Sequence, residues 1–501
     1  MNKKGIRNIL LLSTVLVFAA CSTLKKDDSE KASTANTSKS TDLKKGMRPN
    51  ILFVLCDDLG YADVGFNGSK DIITPELDQL AKNGTIFTSA YVTHPFCGPS
   101  RAGLLTGRYP HAFGSQFNLP KNSEVTVGEG IPLSEKFMGK MLQESGYYTG
   151  AVGKWHLGAV PGYHPNDRGF DDFYGFLGGG HEYFPSYFTP KYKKLKAAGT
   201  KNIWDYLTPL QHNGKEVTET EYITDALSRE AVRFVTDASK KKDPFFLYVS
   251  YNAPHTPLQA KEEDMKVFKK IKNKDRRTYA GMVYAVDRGV GNIVKALKAT
   301  NQYENTLIVF LSDNGGRPDK GASNKPLKGR KGDTYEGGYR VPMFFHWPNN
   351  VASGKRYNHP VSALDFYPTF AGLAGATLPA NNKFDGKDIW EDFSAGKSSR
   401  SGEPIFAMRH RKGFSDVGVR QDEWKATKAY NSTWKLFNID KDIAETKDLS
   451  DQHPEILKEL VEKAELWSKT HTEPRWFDPE NLSKVWKEKE MGKFKETFKI
   501  K

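Results

Sequence analysis

The chain has 501 residues, 38% of them hydrophobic and 12% aromatic, and carries a formal net charge of +14. These numbers support a packed globular body, large enough for one big α/β domain and a smaller companion. The basic surplus suits an anionic polymer or surface; with no zinc-finger or RNA-stacking motif in the sequence, nucleic acid is not an expected partner.

In chain order, Lys3, Lys4 and Arg7 precede the apolar run Ile9 to Phe18 and Ala19-Ala20-Cys21. This reads as a signal peptide over 1–20, its apolar core too short to span a bilayer. Cys21 after two alanines resembles a bacterial lipoprotein cleavage site. Lipidation there predicts an exported protein held at the outer membrane, cell surface or periplasm through its N-terminal anchor. Residues 21–47 are rich in Ser, Thr, Lys and Asp and read as a flexible tether.

Asn50–Cys56 is a continuous apolar run, the pattern of a strand buried on both faces. Helices are predicted over Ser69–Gly84, Ser134–Ser145 and Asp275–Thr300, and further strands over Tyr148–Val152, Pro244–Ser250 and Thr306–Leu311. This alternation predicts a large, mostly parallel sheet sandwiched by helices, with ligands beyond the carboxyl ends of the strands. The catalytic domain is placed at 48–395. Short antiparallel strands near 405–408, 417–420, 424–430 and 434–438, with a helix over His453–Thr470, predict a smaller α+β domain at 396–501. The charged tail after Arg475 is left open, to wrap or to trail.

The chemistry clusters where the predicted strands end. Asp57-Asp58 follows the first strand and Ser312-Asp313-Asn314-Gly315-Gly316 a later one. Alone, each motif is more often a turn. Together they gather oxygen donors without histidine or thiolate, a set that suits Ca²⁺ or Mg²⁺. Cys97-Gly-Pro-Ser-Arg101 places Pro99 in the first turn of a helix that Gly107 ends, so Cys97 is expected just ahead of a helix N-terminus that favours anions. Arg101, one turn in, is positioned to hold the residue-97 side chain or an oxygen of a bound anion. In Gly153-Lys154-Trp155-His156, an extended chain turns Lys154 and His156 to one face and Trp155 to the other. Pro254 and Pro257 fix the loop around His255. Of the three cysteines, Cys56 reads as core and Cys21 as the lipid site, which leaves Cys97 for chemistry and none for a disulfide.

Cys97-Gly-Pro-Ser-Arg101 followed by Thr106-Gly-Arg108 resembles the modification signature of the formylglycine-dependent sulfatases, members of the alkaline-phosphatase-like superfamily. The remaining blocks follow in that family's order: Asp57-Asp58, Gly-Lys154-Trp-His156, Pro-His255, Ser-Asp313-Asn314-Gly, and a lysine before Tyr335-Glu336-Gly-Gly338. That lysine is Lys331, with Lys328 as the fallback. The resemblance implies that Cys97 is oxidised by a maturing enzyme to 3-oxoalanine (formylglycine), whose hydrate is the nucleophile. It also implies one Ca²⁺, preferred over Mg²⁺, held by Asp57, Asp58, Asp313, Asn314 and residue 97. In the implied reaction Asp313 takes a proton from the hydrate, His255 with Lys331 protonates the leaving alcohol, and His156 serves as the later base. Lys154, Lys331 and Arg101 add positive charge.

Export, charge and aromatic content point to a sulfated oligo- or polysaccharide: an algal polymer such as ulvan, carrageenan or fucoidan, or a glycosaminoglycan. His111, Gln116, Arg168, His181, Arg409 and His410 are candidate sugar contacts. Two alternatives stand beside this reading. One is a phosphoesterase or phosphonate hydrolase of the same architecture. The other is a non-catalytic lipoprotein that binds sulfated glycans.

Overall fold

The computed structural model describes residues 48–120, 127–200, 203, 205–380 and 382–500. The predicted leader, Cys21 and the tether lie outside these residues. No helix among the described residues is long and apolar enough to cross a membrane.

Eleven strands come first: β1 (Asn50–Cys56), β2 (Thr85–Phe87), β3 (Ala90–Tyr91), β4 (Tyr148–Lys154), β5 (Asp172–Phe176), β6 (Gln211–His212), β7 (Lys215–Glu216), β8 (Phe245–Ser250), β9 (Thr306–Ser312), β10 (Met343–His346) and β11 (Lys355–Tyr357). Ten of them form one sheet in the order β11-β2-β10-β9-β1-β8-β4-β5-β6-β7. The centre, β9-β1-β8-β4-β5, is parallel, and β10 joins it antiparallel to β9. β3 pairs outside the sheet with β12 (Val361–Ser362).

Strand alternation explains why β1 is apolar throughout. Ile51, Phe53 and Leu55 enter one core, with the helices Cys97–Thr106, Met138–Glu144 and Phe366–Ala374. Leu52, Val54 and Cys56 enter the other, under Ile223–Ala238 and Lys274–Ala299. With both faces sealed, the polar residues that follow β1 and β9 can meet only at the carboxyl edge. There Cys56 pairs with Ser312 in register.

Two predicted helices begin late. Pro75 sets the start of Pro75–Lys82, because proline disfavours helical backbone in the residue before it. The helix predicted from Ser134 begins at Met138. The carbonyls of Ile131, Pro132 and Glu135 are taken by the Arg168 guanidinium, and Glu135 turns to Arg108 at 2.6 Å.

β13 (Ile405–His410), β14 (Ser415–Gln421), β15 (Trp424–Lys428) and β16 (Lys435–Asn438) form an antiparallel sheet. Leu457, Leu460, Val461 and Ala464 of helix Pro454–Ser468 pack on it with Met408, Val417, Val419 and Leu436. The tail wraps: Trp476 is buried in the first core, and its Nε1 donates to the Phe117 carbonyl at 2.9 Å.

Candidate active site

Asp57 and Asp58 leave β1 and Asp313 and Asn314 leave β9. The Asp313 N–H donates to the Cys56 carbonyl at 2.9 Å and the Asp58 N–H to Asp313 Oδ1 at 3.3 Å. Asn314 Nδ2 donates to Asp58 Oδ1 at 2.7 Å. Asp58 and His156 both take left-handed backbone, φ 65° and 62°. Such strain in non-glycine residues is found where a fold fixes functional groups.

Cys97 is the first residue of helix Cys97–Thr106 rather than the residue ahead of it; Phe96 is the cap, and Gly107 closes the helix at φ 67°. Sγ of Cys97 and carboxylate oxygens of Asp57 and Asp313 lie within 4.8 Å of one another. Lys331 Nζ reaches Cys97 Sγ at 3.9 Å and Asp58 Oδ1 at 2.6 Å. Lys154 Nζ contacts Asp57 Oδ2 at 2.5 Å. His255 Nε2 is 3.7 Å from Asp58 Oδ2, its Nδ1 sitting 2.7 Å from the Thr256 carbonyl. His156 has a buried Nδ1 with no hydrogen-bond partner.

For Arg101 the sequence leaves two contacts open, the residue-97 side chain or an anion's oxygen; in the structure its guanidinium is taken up by Asp313. Arg101 is fully buried. Its Nε and Nη2 meet Asp313 Oδ2 at 2.8 and 2.7 Å, and Nη1 contacts Ser250 and the Lys154 carbonyl. It is a positioning residue that ties β8, β4 and β9 to helix Cys97–Thr106.

Burial raises the Asp57 carboxyl, but Lys154, His255, Arg101 and Lys331 outweigh it and hold the group well below the usual carboxylate range. Asp313 is pushed up to about 6 by burial and by the Asp57 charge. Burial holds both His255 and His156 below the ordinary imidazole value, with Lys154 adding to the effect on His156 and the two aspartates opposing it at His255. Burial lifts the Cys97 thiol against the pull of Lys154 and Lys331.

A metal ion fits this donor set. Asp57 Oδ1 and Asn314 Oδ1 are buried oxygens without a hydrogen-bond partner, which leaves them free to ligate. Three carboxylates and an amide oxygen suit a hard cation. A two-metal phosphoesterase needs a further set of histidine and aspartate ligands; among the described residues, His255 is the histidine that joins this cluster.

The site opens on a cavity of about 480 Å³ lined by, among others, Phe96, Cys97, Asn118, His156, His255 and Lys331. A groove of about 1060 Å³ along Met141, Leu373 and Trp390 holds none of these groups, and chemistry rather than size decides between them. Asn118 was not legible from sequence: its Oδ1 accepts the Gly98 N–H at 3.0 Å and lies 3.8 Å from Cys97 Sγ. No motif surrounds it; the fold brings its loop to the helix start.

Of the candidate sugar contacts, Arg409 lines the cavity. The structure removes the other five. Arg168 stacks 4.0 Å from the Phe137 centroid while holding three carbonyls. Gln116 Nε2 donates to the Thr472 carbonyl at 2.7 Å, fastening the tail. His181 is buried between Phe176 and Phe188. His111 is fully buried among His94, His410, His471 and Trp467. His410 is buried against Trp486, with its Nδ1 on Ser415. Lys328 also points away, to the Glu445 carbonyl at 3.1 Å, so the lysine at the site is Lys331.

Comparison with known proteins agrees with the geometry. A parallel, helix-sandwiched sheet with acidic strand ends facing a helix-borne nucleophile position defines a hydrolase of the alkaline-phosphatase-like superfamily. The Sulfatase family model matches residues 49–376, and a model described as N-sulphoglucosamine sulphohydrolase, C-terminal, matches 330–470. The chain belongs to the sulfatase family and is a sulfuric ester hydrolase. Mouse arylsulfatase J is 33% identical, covering 90% of this chain and 79% of its own. Human N-acetylgalactosamine-6-sulfatase is 34% identical, covering 72% and 68%. The crystal structure of Ps i-CgsB in complex with k-i-k-neocarrahexaose has 60% identity and a TM-score of 0.88, covering 90% of this chain and 100% of that one. PsFucS1 sulfatase from Pseudoalteromonas sp. follows at 27% identity and TM-score 0.71, covering 85% and 91%.

Proposed function

We propose that this protein removes a sulfate group from a carrageenan-type oligosaccharide, with residue 97 matured to formylglycine as the nucleophile. The observation that carries the mechanism is the meeting of Cys97 Sγ with Asp57 and Asp313 beneath Lys331. The substrate class rests on the 60% identity to a protein crystallised with a neocarrahexaose. The predicted leader and Cys21 add export as a lipidated protein, where a polymer too large to enter a cell is met.

Asp57, Asp58, Asp313 and Asn314 would hold the cation, Ca²⁺ by preference, and a bound cation supplies fixed positive charge beside the sulfate. The protein's own groups do the rest. Lys331 and Lys154 add charge where the sulfuryl oxygens gather it. Asp313, oriented by Arg101, accepts the proton of the attacking hydroxyl. As the bond from sulfur to the sugar oxygen breaks, His255 delivers a proton to that oxygen. His156 then takes the proton of the second hydroxyl on residue 97, which frees sulfate and restores the aldehyde. A serine at 97 has no second hydroxyl and no such exit.

The test is sulfate release by protein matured in a host with a sulfatase-maturing enzyme, on a panel of carrageenan, fucoidan and glycosaminoglycan oligosaccharides. Release from carrageenan sugars is expected. Turnover confined to another panel member would refute the substrate, and binding without release from any would favour a glycan-binding lipoprotein.

A further inference from the structure

Five cationic side chains line the catalytic cavity: Arg317, Arg330, Lys331, Arg409 and Arg411. Four have carboxylate partners. Arg317 and Arg330 share Asp319 at 2.6 and 3.4 Å. Lys331 has Asp58 at 2.6 Å. Arg411 has Asp416 and, at 3.2 Å, Asp333. Among the described residues Arg409 has none. Its Nη1 donates to the Gly332 carbonyl at 2.8 Å, and its guanidinium carbon sits 4.5 Å from the Phe96 ring centroid.

A half-buried guanidinium with no direct carboxylate contact keeps donors to spare for an anion. Burial and repulsion from Arg411, against the pull of Asp416 and Asp333, bring Arg409 down to about 10, so it remains protonated at neutral pH. Its placement ties it to the reaction. Phe96 directly precedes Cys97, and Lys331 Nζ lies 5.7 Å from the same ring. One aromatic ring therefore neighbours both the cation at Cys97 and Arg409. Phe96 and Gly332 fix the guanidinium plane, and a fixed planar fork suits a tetrahedral oxyanion.

We propose that Arg409 anchors a second sulfate subsite. While one sulfate ester of the oligosaccharide lies at residue 97, another sulfate on the same chain pairs with Arg409, so the enzyme reads a pattern of two sulfates. This deepens the sulfated-glycan reading above and rests on it.

The test uses a matched pair of oligosaccharides that share the scissile sulfate and differ in one neighbouring sulfate. The wild-type protein, Arg409→Gln and Arg409→Lys are compared by the ratio of kcat/KM on the pair, with melting temperatures to verify folding. The wild type is expected to favour the doubly sulfated sugar by about 10–100-fold, the range of a charge-assisted contact. Arg409→Gln should bring the ratio close to one and Arg409→Lys should restore part of it. A ratio unchanged in Arg409→Gln, whether or not both rates fall, would overturn the proposal and leave Arg409 a support for Phe96. A wild type that turns over both sugars equally refutes the second subsite alone. A wild type that releases sulfate from neither refutes the substrate proposed above and this subsite with it.

Discussion

Two buried clusters in this protein place lysine beside carboxylates, and they differ in what they border. In one, Lys425 Nζ lies 2.9 Å from both Glu336 Oε1 and Glu445 Oε1. Glu336 Oε2 accepts from the Tyr91 hydroxyl at 2.7 Å and from Arg340 at 2.9 Å, and the Glu336 N–H donates to Glu445 Oε2 at 2.8 Å. This cluster fastens the C-terminal sheet to the segment that carries Lys331. In the other, at the ends of β1 and β9, oxygens of Asp57 and Asn314 remain without partners and the cluster borders a cavity. Buried charge closed within the protein is architecture; buried carboxylates beside a cavity suit a cation and a substrate.

That contrast can be broken most sharply at residue 97. Cys97→Ala should abolish sulfate release, a loss on the order of 10⁶-fold as for other removed nucleophiles, while the melting temperature stays close to that of the wild type. Lys425→Met should do the reverse. Glu445 left without its cation, and Glu336 with Arg340 alone, cost about 3–5 kcal/mol, visible as a large fall in urea midpoint, and the fraction that stays folded should keep its turnover. A Cys97→Ala protein that unfolds, or a Lys425→Met protein of unchanged stability, would erase the distinction. Next in size, His255→Ala should lower kcat by about 10²–10⁴-fold on sugar sulfates. The loss should be smaller on an aryl sulfate, whose leaving group needs less protonation; equal losses on both would remove His255 from the acid role.

The smallest effect is in pH. Burial and the charge of Glu336 push Glu445 up to about 7 although Lys425 opposes them, while Lys425, Arg340 and Arg420 overcome burial to hold Glu336 at about 2. Between its unfolded value and about 7, Glu445 binds more proton in the fold than in the unfolded chain. Stability must therefore decline as pH rises through that window. Glu445→Gln should flatten this part of the stability profile. A variant whose profile parallels the wild type would show that Glu445 is ionised across the window.

The parallel sheet was legible because β1, β8 and β9 are buried on both faces, so their apolar runs have no alternation to confuse. The site was legible where chemistry follows a strand end in sequence, as at Asp57, Lys154 and Asp313. It was not legible where contacts are assembled across the chain. Asn118 comes from a loop without motif, and Glu336, within the Tyr-Glu-Gly-Gly block, holds Lys425 from the C-terminal sheet. Five of the six sugar contacts failed because His, Gln and Arg look alike in sequence whether they face a cavity or are held in the interior by carbonyls, hydroxyls or rings. Arg168 and Gln116 do the latter.

The account depends on the chemical state of residue 97. Mass analysis of the peptide that contains it, from protein made alongside a sulfatase-maturing enzyme, tests this most directly. The prediction is an aldehyde that a hydrazide reagent traps and whose extent tracks sulfate release from sample to sample. Full sulfate release from protein whose residue 97 is still an intact thiol would contradict it.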